Sequence, residues 1–203
     1  MRYEIAEIFP TAVMVTEFGR DFTEEELNYF KQISNSTVEN VGNLRSKYSY
    51  VLEEEPLKDI KKICLEAINS YMNDVYNPEN KLTPYITQSW LNFTETEGYH
   101  HSHSHPNSFI SGILYINADH ANDTVSFYKD RTNIIKLYPK QFNKFNSDSI
   151  KLAVKTGLIV IFPSDLTHDV KSKKGNNTRT SLAFNSFFKG KIGNEYKTDE
   201  LTL

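Results

Sequence analysis

The feature that most limits the possible folds of this 203-residue chain is the residue pattern of its second half. Beyond Pro84 the sequence consists of short runs rich in β-branched and aromatic residues, separated by clusters of Gly, Asn, Asp and Pro, as is typical of strands joined by turns. The predicted strands are 85–93, 108–117, 123–129, 149–156, 157–163 and 178–188. Because no long helices lie between these runs, we predict an antiparallel sandwich or a closed barrel.

The first part of the chain carries helical patterns instead. Thr23 and Glu26 have the spacing of a capping box at the start of a first helix, and Phe22 is expected to pack on Leu27. A second helix is predicted over about 56–77, where apolar residues recur at helical spacing. We expect both helices to support the β part rather than to hold a cofactor.

The composition favours one globular domain over 1–203, with 1–83 as helical support and 84–190 as the β core. Hydrophobic residues make up 38% of the chain, which is enough for an ordered core. The net charge of −3 gives no indication of nucleic-acid binding. A single cysteine, Cys64, excludes an internal disulfide, and no apolar run approaches the roughly 18 residues of a membrane span. We therefore expect a cytoplasmic protein with no membrane contact, and a homodimer remains open.

The stretch HHSHSHP at 100–106 contains four of the six histidines of the chain. In a strand, residues two apart point to the same side, so His103 and His105 are positioned to bind one metal ion. The pair His101 and His103 satisfies the same spacing. A solvated polar turn is the alternative interpretation of this stretch.

A third metal ligand would have to come from elsewhere, and His168 is the strongest candidate. It follows the apolar run GLIVIFP and a Pro-Ser-Asp turn, a position from which a side chain can reach the mouth of a barrel. A structural histidine is the alternative. His120 lies in the polar sequence NADHANDT, which is typical of an exposed turn, and we give it no metal role.

Eleven residues after His168, the sequence Arg179-Thr180-Ser181 begins the last predicted strand. Arg179 and Ser181 are two apart and so share a face of that strand. A planar guanidinium can bind a carboxylate through two hydrogen bonds, and a neighbouring hydroxyl can add another donor. A surface charge or a structural ion pair is the alternative for the arginine.

Taken in order, these motifs resemble the Fe(II)- and 2-oxoglutarate-dependent oxygenases, in particular a bacterial and phage-borne branch of that superfamily. The resemblance covers 90–188, about half of the chain. The matching residues are Trp90-Leu91-Asn92, Gly98-Tyr99, His103-Ser104-His105-Pro106, Ser111-Gly112 with Tyr115, Gly157, Phe162-Pro163-Ser164, His168-Asp169-Val170 and Arg179-Thr180-Ser181.

The resemblance implies a mainly β fold, a double-stranded β-helix or cupin-like jelly roll buttressed by N-terminal helices. It also implies a dioxygenase that uses Fe(II), O2 and 2-oxoglutarate, converts the latter to succinate and hydroxylates an unidentified substrate. By position, the metal ligands would be His103, His105 and His168.

The resemblance further implies how 2-oxoglutarate would bind. Arg179 and Ser181 would hold its remote carboxylate while its keto-acid end chelates the metal. Asn92 and Tyr115 are candidates for hydrogen bonds to this co-substrate.

The chain departs from the superfamily at one position, because His105 stands where an acid is usual. The nearby acids Asp123, Asp165 and Asp169 are candidates to restore a carboxylate ligand. A different function, a cupin-like three-histidine metal-binding protein without oxygenase activity, is the alternative. Arg179 distinguishes the two, since only the oxygenase needs a basic anchor beside the metal.

Overall fold

The computed structural model describes residues 1–129, 135 and 137–203. Two α-helices, α1 (Glu24–Ser34) and α2 (Lys58–Tyr71), precede most of the strands, and a π-helical turn, Met72–Tyr76, extends α2. The strands are β1 (Met14–Glu17), β2 (Thr37–Asn40), β3 (Asn43–Ser46), β4 (Thr83–Thr94), β5 (His100–His103), β6 (Ile110–Asn117), β7 (Thr124–Tyr128), β8 (Ser149–Ala153), β9 (Leu158–Pro163), β10 (His168–Val170), β11 (Arg179–Lys189), β12 (Lys191–Ile192) and β13 (Leu201–Thr202).

The strands form two principal antiparallel sheets. The large sheet has the order β1-β9-β6-β11-β4-β3-β2, and the small sheet has the order β5-β10-β7-β8. Strands distant in sequence are neighbours in both sheets, as in a jelly roll. The prediction of a mainly β jelly roll with N-terminal helices is confirmed.

Apolar residues cover both faces of the large sheet, because side chains alternate along each strand. Leu114 and Ile161 face a core that includes residues of α1 and α2. Their neighbours Tyr115 and Val160 belong to a second core, which also contains Val125 of the small sheet. The helices therefore support one face of the large sheet, and the other face packs against the small sheet.

The first helix is capped as predicted. The Thr23 hydroxyl accepts a hydrogen bond from the backbone N–H of Glu26, and the Glu26 carboxylate accepts one from the N–H of Thr23. Leu27, the predicted partner of Phe22, is 47% exposed. Phe22 stacks on Phe18, with 4.8 Å between the ring centroids.

The assignment of 1–83 as helical support needs a correction. This segment also supplies β1, β2 and β3, which form the two edges of the large sheet. These strands have four residues each, and β2 (TVEN) and β3 (NLRS) are too short and polar to show an alternating apolar pattern. Within the described residues, no helix has the length and apolarity needed to cross a bilayer.

Candidate metal centre

The central histidines lie where β5 meets β10 in the small sheet. His103 pairs with His168, whereas His100 pairs with Val170. Three steps along β5 thus correspond to two steps along β10, which defines a β-bulge. Bulges are frequent beside functional sites because they change the direction of side chains.

Three imidazoles converge at this point. One ring nitrogen from each of His103, His105 and His168 lies within 4.8 Å of the others. The Nε2 atoms of His105 and His168 are 3.3 Å apart. Bonds of about 2.0–2.1 Å from two nitrogens to one ion would give a similar separation. The structure therefore brings together the three histidines that the sequence predicts as ligands.

Backbone contacts fix the orientation of these rings. His105 lies just beyond β5, where its backbone N–H donates a 2.8 Å hydrogen bond to the carbonyl of Ser164. The Nδ1 atom of His103 is 2.8 Å from the carbonyl oxygen of His101, and Nδ1 of His168 is 3.0 Å from that of Leu166. Since a carbonyl only accepts, each Nδ1 carries the proton and each Nε2 keeps a free lone pair.

The surroundings keep the three rings uncharged at neutral pH. Burial lowers the pKa of His105 to about 3 and that of His168 to about 4, and neighbouring histidines add to both effects. Burial also lowers the pKa of His103. The carboxylate of Asp169 acts in the opposite direction on His103 and His168. Neutral imidazole is the form that binds a metal ion.

Arg179, at the start of β11, lines the same cavity as the three histidines and is 2% exposed. Its nearest acceptors are weakly placed, the Thr124 carbonyl at 3.4 Å and the Thr94 hydroxyl at 3.5 Å. Its Nε atom is buried without a hydrogen-bond partner. No carboxylate among the described residues forms an ion pair with it. A buried guanidinium in this state is suited to binding an anion.

The other predicted co-substrate residues lie beside Arg179. Ser181 pairs with Asn92 of β4 on one side and with Tyr115 of β6 on the other, so the three side chains share a face of the large sheet. All three line the cavity and are buried. The Oδ1 atom of Asn92 has no hydrogen-bond partner. Burial raises the pKa of Tyr115 to about 12, so its hydroxyl stays protonated.

The three candidate acids have different positions. Asp165 is exposed, and the Asp123 carboxylate accepts a 2.8 Å hydrogen bond from the N–H of Asp119. Asp169 lines the cavity, and its Oδ2 accepts hydrogen bonds from the Tyr128 hydroxyl at 2.8 Å and from Lys171 Nζ at 2.7 Å. Among the described residues, the groups of converging ligand atoms contain only histidines.

The cavity lining also includes Trp90 and His100, which were not predicted from the sequence as site residues. The Trp90 indole lies beside His105, with 5.8 Å between ring centroids, and His100 stacks on His103 at 4.5 Å. The Trp-x-Asn motif was a usable signal for Trp90, because Trp90 and Asn92 share a strand face. The direction of His100 depends on the bulge, which the sequence does not reveal. His120 lies in an exposed turn, as predicted.

Comparison with protein families gives a match over residues 88–185, to the model described as "Putative 2OG-Fe(II) oxygenase". This segment contains all seven residues predicted for the metal and the co-substrate. A search of curated proteins finds no sequence that matches the chain.

Solved structures share the fold at low sequence identity. HygX from Streptomyces hygroscopicus with nickel and 2-oxoglutarate bound is 10% identical, with a TM-score of 0.59 over 87% of this chain and 82% of that one. A Pseudomonas putida prolyl-4-hydroxylase is 10% identical, with a TM-score of 0.54 over 88% and 92%. A 2OG-Fe(II) oxygenase family oxidoreductase from Burkholderia pseudomallei is 10% identical, with a TM-score of 0.54 over 86% and 83%.

Proposed function

We infer that this chain, whose residues 88–185 match the model of a 2OG-Fe(II) oxygenase family, is an Fe(II)- and 2-oxoglutarate-dependent dioxygenase that hydroxylates an unidentified substrate. His103, His105 and His168 would hold the metal. Arg179 and Ser181 would hold the remote carboxylate of 2-oxoglutarate. The observation that carries the proposal is one cavity lined both by three converging neutral imidazoles and by a buried guanidinium without a carboxylate partner among the described residues.

The donor set suits a divalent first-row metal. Backbone carbonyls leave the Nε2 lone pairs of His103 and His168 free, His105 places its Nε2 3.3 Å from that of His168, and imidazole binds iron, nickel and zinc alike. The missing ligand carboxylate leaves the metal with a higher charge, and Asp169 supplies a negative charge close to two of the rings. When bound, Fe(II) would supply oxygen activation coupled to decarboxylation of 2-oxoglutarate.

The anchor explains why a dicarboxylate would be selected. A carboxylate at Arg179 would meet two guanidinium donors and the hydroxyl of Ser181. The Asn92 amide and the Tyr115 hydroxyl would complete a polar wall on the same sheet face. Binding would satisfy the Nε of Arg179, which is buried without a partner.

Aromatic packing would keep the ligand set rigid and exclude water behind it. Phe162 contacts His168 edge-on at 4.7 Å between centroids, and Phe127 lies 6.0 Å from the same ring. Trp90 is half-buried beside His105, on the cavity wall that continues to Asn92. The primary substrate would approach the metal along this more open side.

The proposal is tested by adding Fe(II) and then 2-oxoglutarate to the purified chain without oxygen. We expect a visible charge-transfer band that needs both additions, and slow formation of succinate once oxygen is admitted. Arg179→Ala should raise the 2-oxoglutarate concentration needed for the band. A chain that binds Fe(II) tightly but gives no 2-oxoglutarate-dependent band would instead be a three-histidine metal-binding protein, and the proposal would be wrong.

A further inference from the structure

The bulge in β5 creates a second group of histidines at the outer end of the first. In a regular strand His100 and His103 would point to opposite faces, since they are three residues apart. Because of the bulge, the rings of His100 and His103 stack at 4.5 Å with 25° between their planes. The ring of His101 lies 4.9 Å from His103 and 5.2 Å from His100.

The nitrogen atoms of this outer group have the spacing of a metal site. One ring nitrogen from each of His100, His101 and His103 lies within 4.8 Å of the others. The Nδ1 atom of His101 is buried and has no hydrogen-bond partner. The amide of Asn40 in β2 is 3.4 Å from Nε2 of His100, a contact that an ion would replace.

The outer group shares His103 with the proposed catalytic site, and this sharing limits what both can do. Nδ1 of His103 is occupied by the carbonyl of His101, so Nε2 is its only free ligand atom. One nitrogen lone pair binds one ion. The two groups can therefore not both use His103 at the same time.

We propose that His100, His101 and His103 form an outer site for a divalent first-row cation, and that this site and the inner triad are occupied alternately through His103. All three outer rings are half-buried, as is His105, and the inner triad differs by containing His168, which is 4% exposed. An ion in the outer site reaches the inner one by exchanging His100 and His101 for His105 and His168 while His103 stays bound. The row of histidines is then a route for metal loading.

The test uses Co²⁺, whose visible absorption and binding heat report coordination without any catalytic turnover. The variant H105A/H168A removes the inner site but keeps the whole outer group. We expect it to bind one Co²⁺ per chain, and further replacement of His100 and His101 with Ala to weaken that binding at least tenfold. The matched control is H120A in the same background, which removes a histidine outside both groups and should leave Co²⁺ binding unchanged.

Two results would overturn the proposal. The first is an H105A/H168A chain that melts cooperatively but binds no Co²⁺ at concentrations that saturate the unmodified chain. The second is binding of two Co²⁺ ions at once by the unmodified chain, which contradicts the sharing of His103. If the double variant does not fold, H168A alone is used to ask whether Co²⁺ still binds, since this change also removes a ligand of the inner site only.

The outer site stands independently of the proposed enzymatic function. A missing 2-oxoglutarate-dependent band with intact Co²⁺ binding in H105A/H168A would refute the oxygenase and leave the outer site in place. A 2-oxoglutarate-dependent band in the unmodified chain, with no Co²⁺ binding in H105A/H168A, would refute only the outer site.

Discussion

Replacing Arg179 with Met is expected to have opposite effects on stability and on co-substrate binding. In the metal-free chain the guanidinium is 2% exposed and its Nε has no partner. Burial lowers the pKa of Arg179, an effect that Tyr115 and Asp123 oppose, so the folded state holds this charge at a cost. A Met side chain of similar length removes the cost, and we expect the free energy of unfolding to rise by about 1 kcal/mol or more.

The same change should nearly abolish binding of 2-oxoglutarate. Two hydrogen bonds between a guanidinium and a carboxylate are each worth about 1.5–3 kcal/mol. Their loss corresponds to a rise in Kd of roughly 10²- to 10⁴-fold. Anaerobic titration with 2-oxoglutarate at saturating Fe(II) measures the Kd, and urea denaturation of the metal-free chain measures the stability.

Arg45→Met is the matched control for this experiment. Arg45 is a half-buried arginine of β3 that pairs with Asn92 of β4 but does not line the cavity, and its Nη1 donates a 3.0 Å hydrogen bond to the carbonyl of Ser46. The substitution Arg45→Met should leave the Kd for 2-oxoglutarate unchanged. The reasoning is refuted if Arg179→Met changes that Kd less than threefold, or if it destabilises the metal-free chain by more than about 1 kcal/mol, because an uncompensated buried charge predicts the opposite sign.

Three further predictions concern the fold that positions the site. Acidification below pH 6.5 should destabilise the metal-free chain, because His105 and His168 have folded pKa values of about 3 and 4, below the ordinary 6.5, so only the unfolded chain takes up protons there. At pH 5 the His168 contribution alone is about 2 kcal/mol, and urea denaturation that gives the same stability at pH 7 and 5 would contradict this. Gly112→Ala should cost about 1–3 kcal/mol, seen as a lower Tm, because the new methyl group overlaps the Phe184 ring; an unchanged Tm would show that the ring moves freely. Glu26→Ala should cost about 1–2 kcal/mol in the same assay by removing half of the capping box together with the carboxylate partner of Arg20, and a loss below 0.3 kcal/mol would mean that both interactions are dispensable.

Much of the jelly roll could be predicted from the sequence because its central strands are long and apolar. The run 157–163, for example, corresponds to β9, whose first five residues are buried. The order of the histidine and arginine motifs was equally informative, since His103, His105, His168 and Arg179 line one cavity. Residue type, spacing and order were thus sufficient to predict both the fold class and the candidate site.

The remaining features depend on partners that lie far away in the chain. Strands β2 and β3 have four residues with few apolar side chains, and only their pairing at the edge of the large sheet defines them. The direction of the His100 ring depends on the register between β5 and β10, 65 residues or more apart in sequence. A local pattern contains no information about such a register shift.

The proposed metal ligands and the proposed anchor belong to different sheets. His103 and His168 are paired residues of the small sheet, whereas Arg179 begins β11 of the large one. The apolar layer between the sheets, to which Phe127 and Phe162 contribute, would therefore set the length of a diacid that binds to both. Core side chains that do not contact the ligand would still help to determine whether a diacid of four or of five carbons fits. Selectivity for the co-substrate would then depend on how the residues between the two sheets are packed.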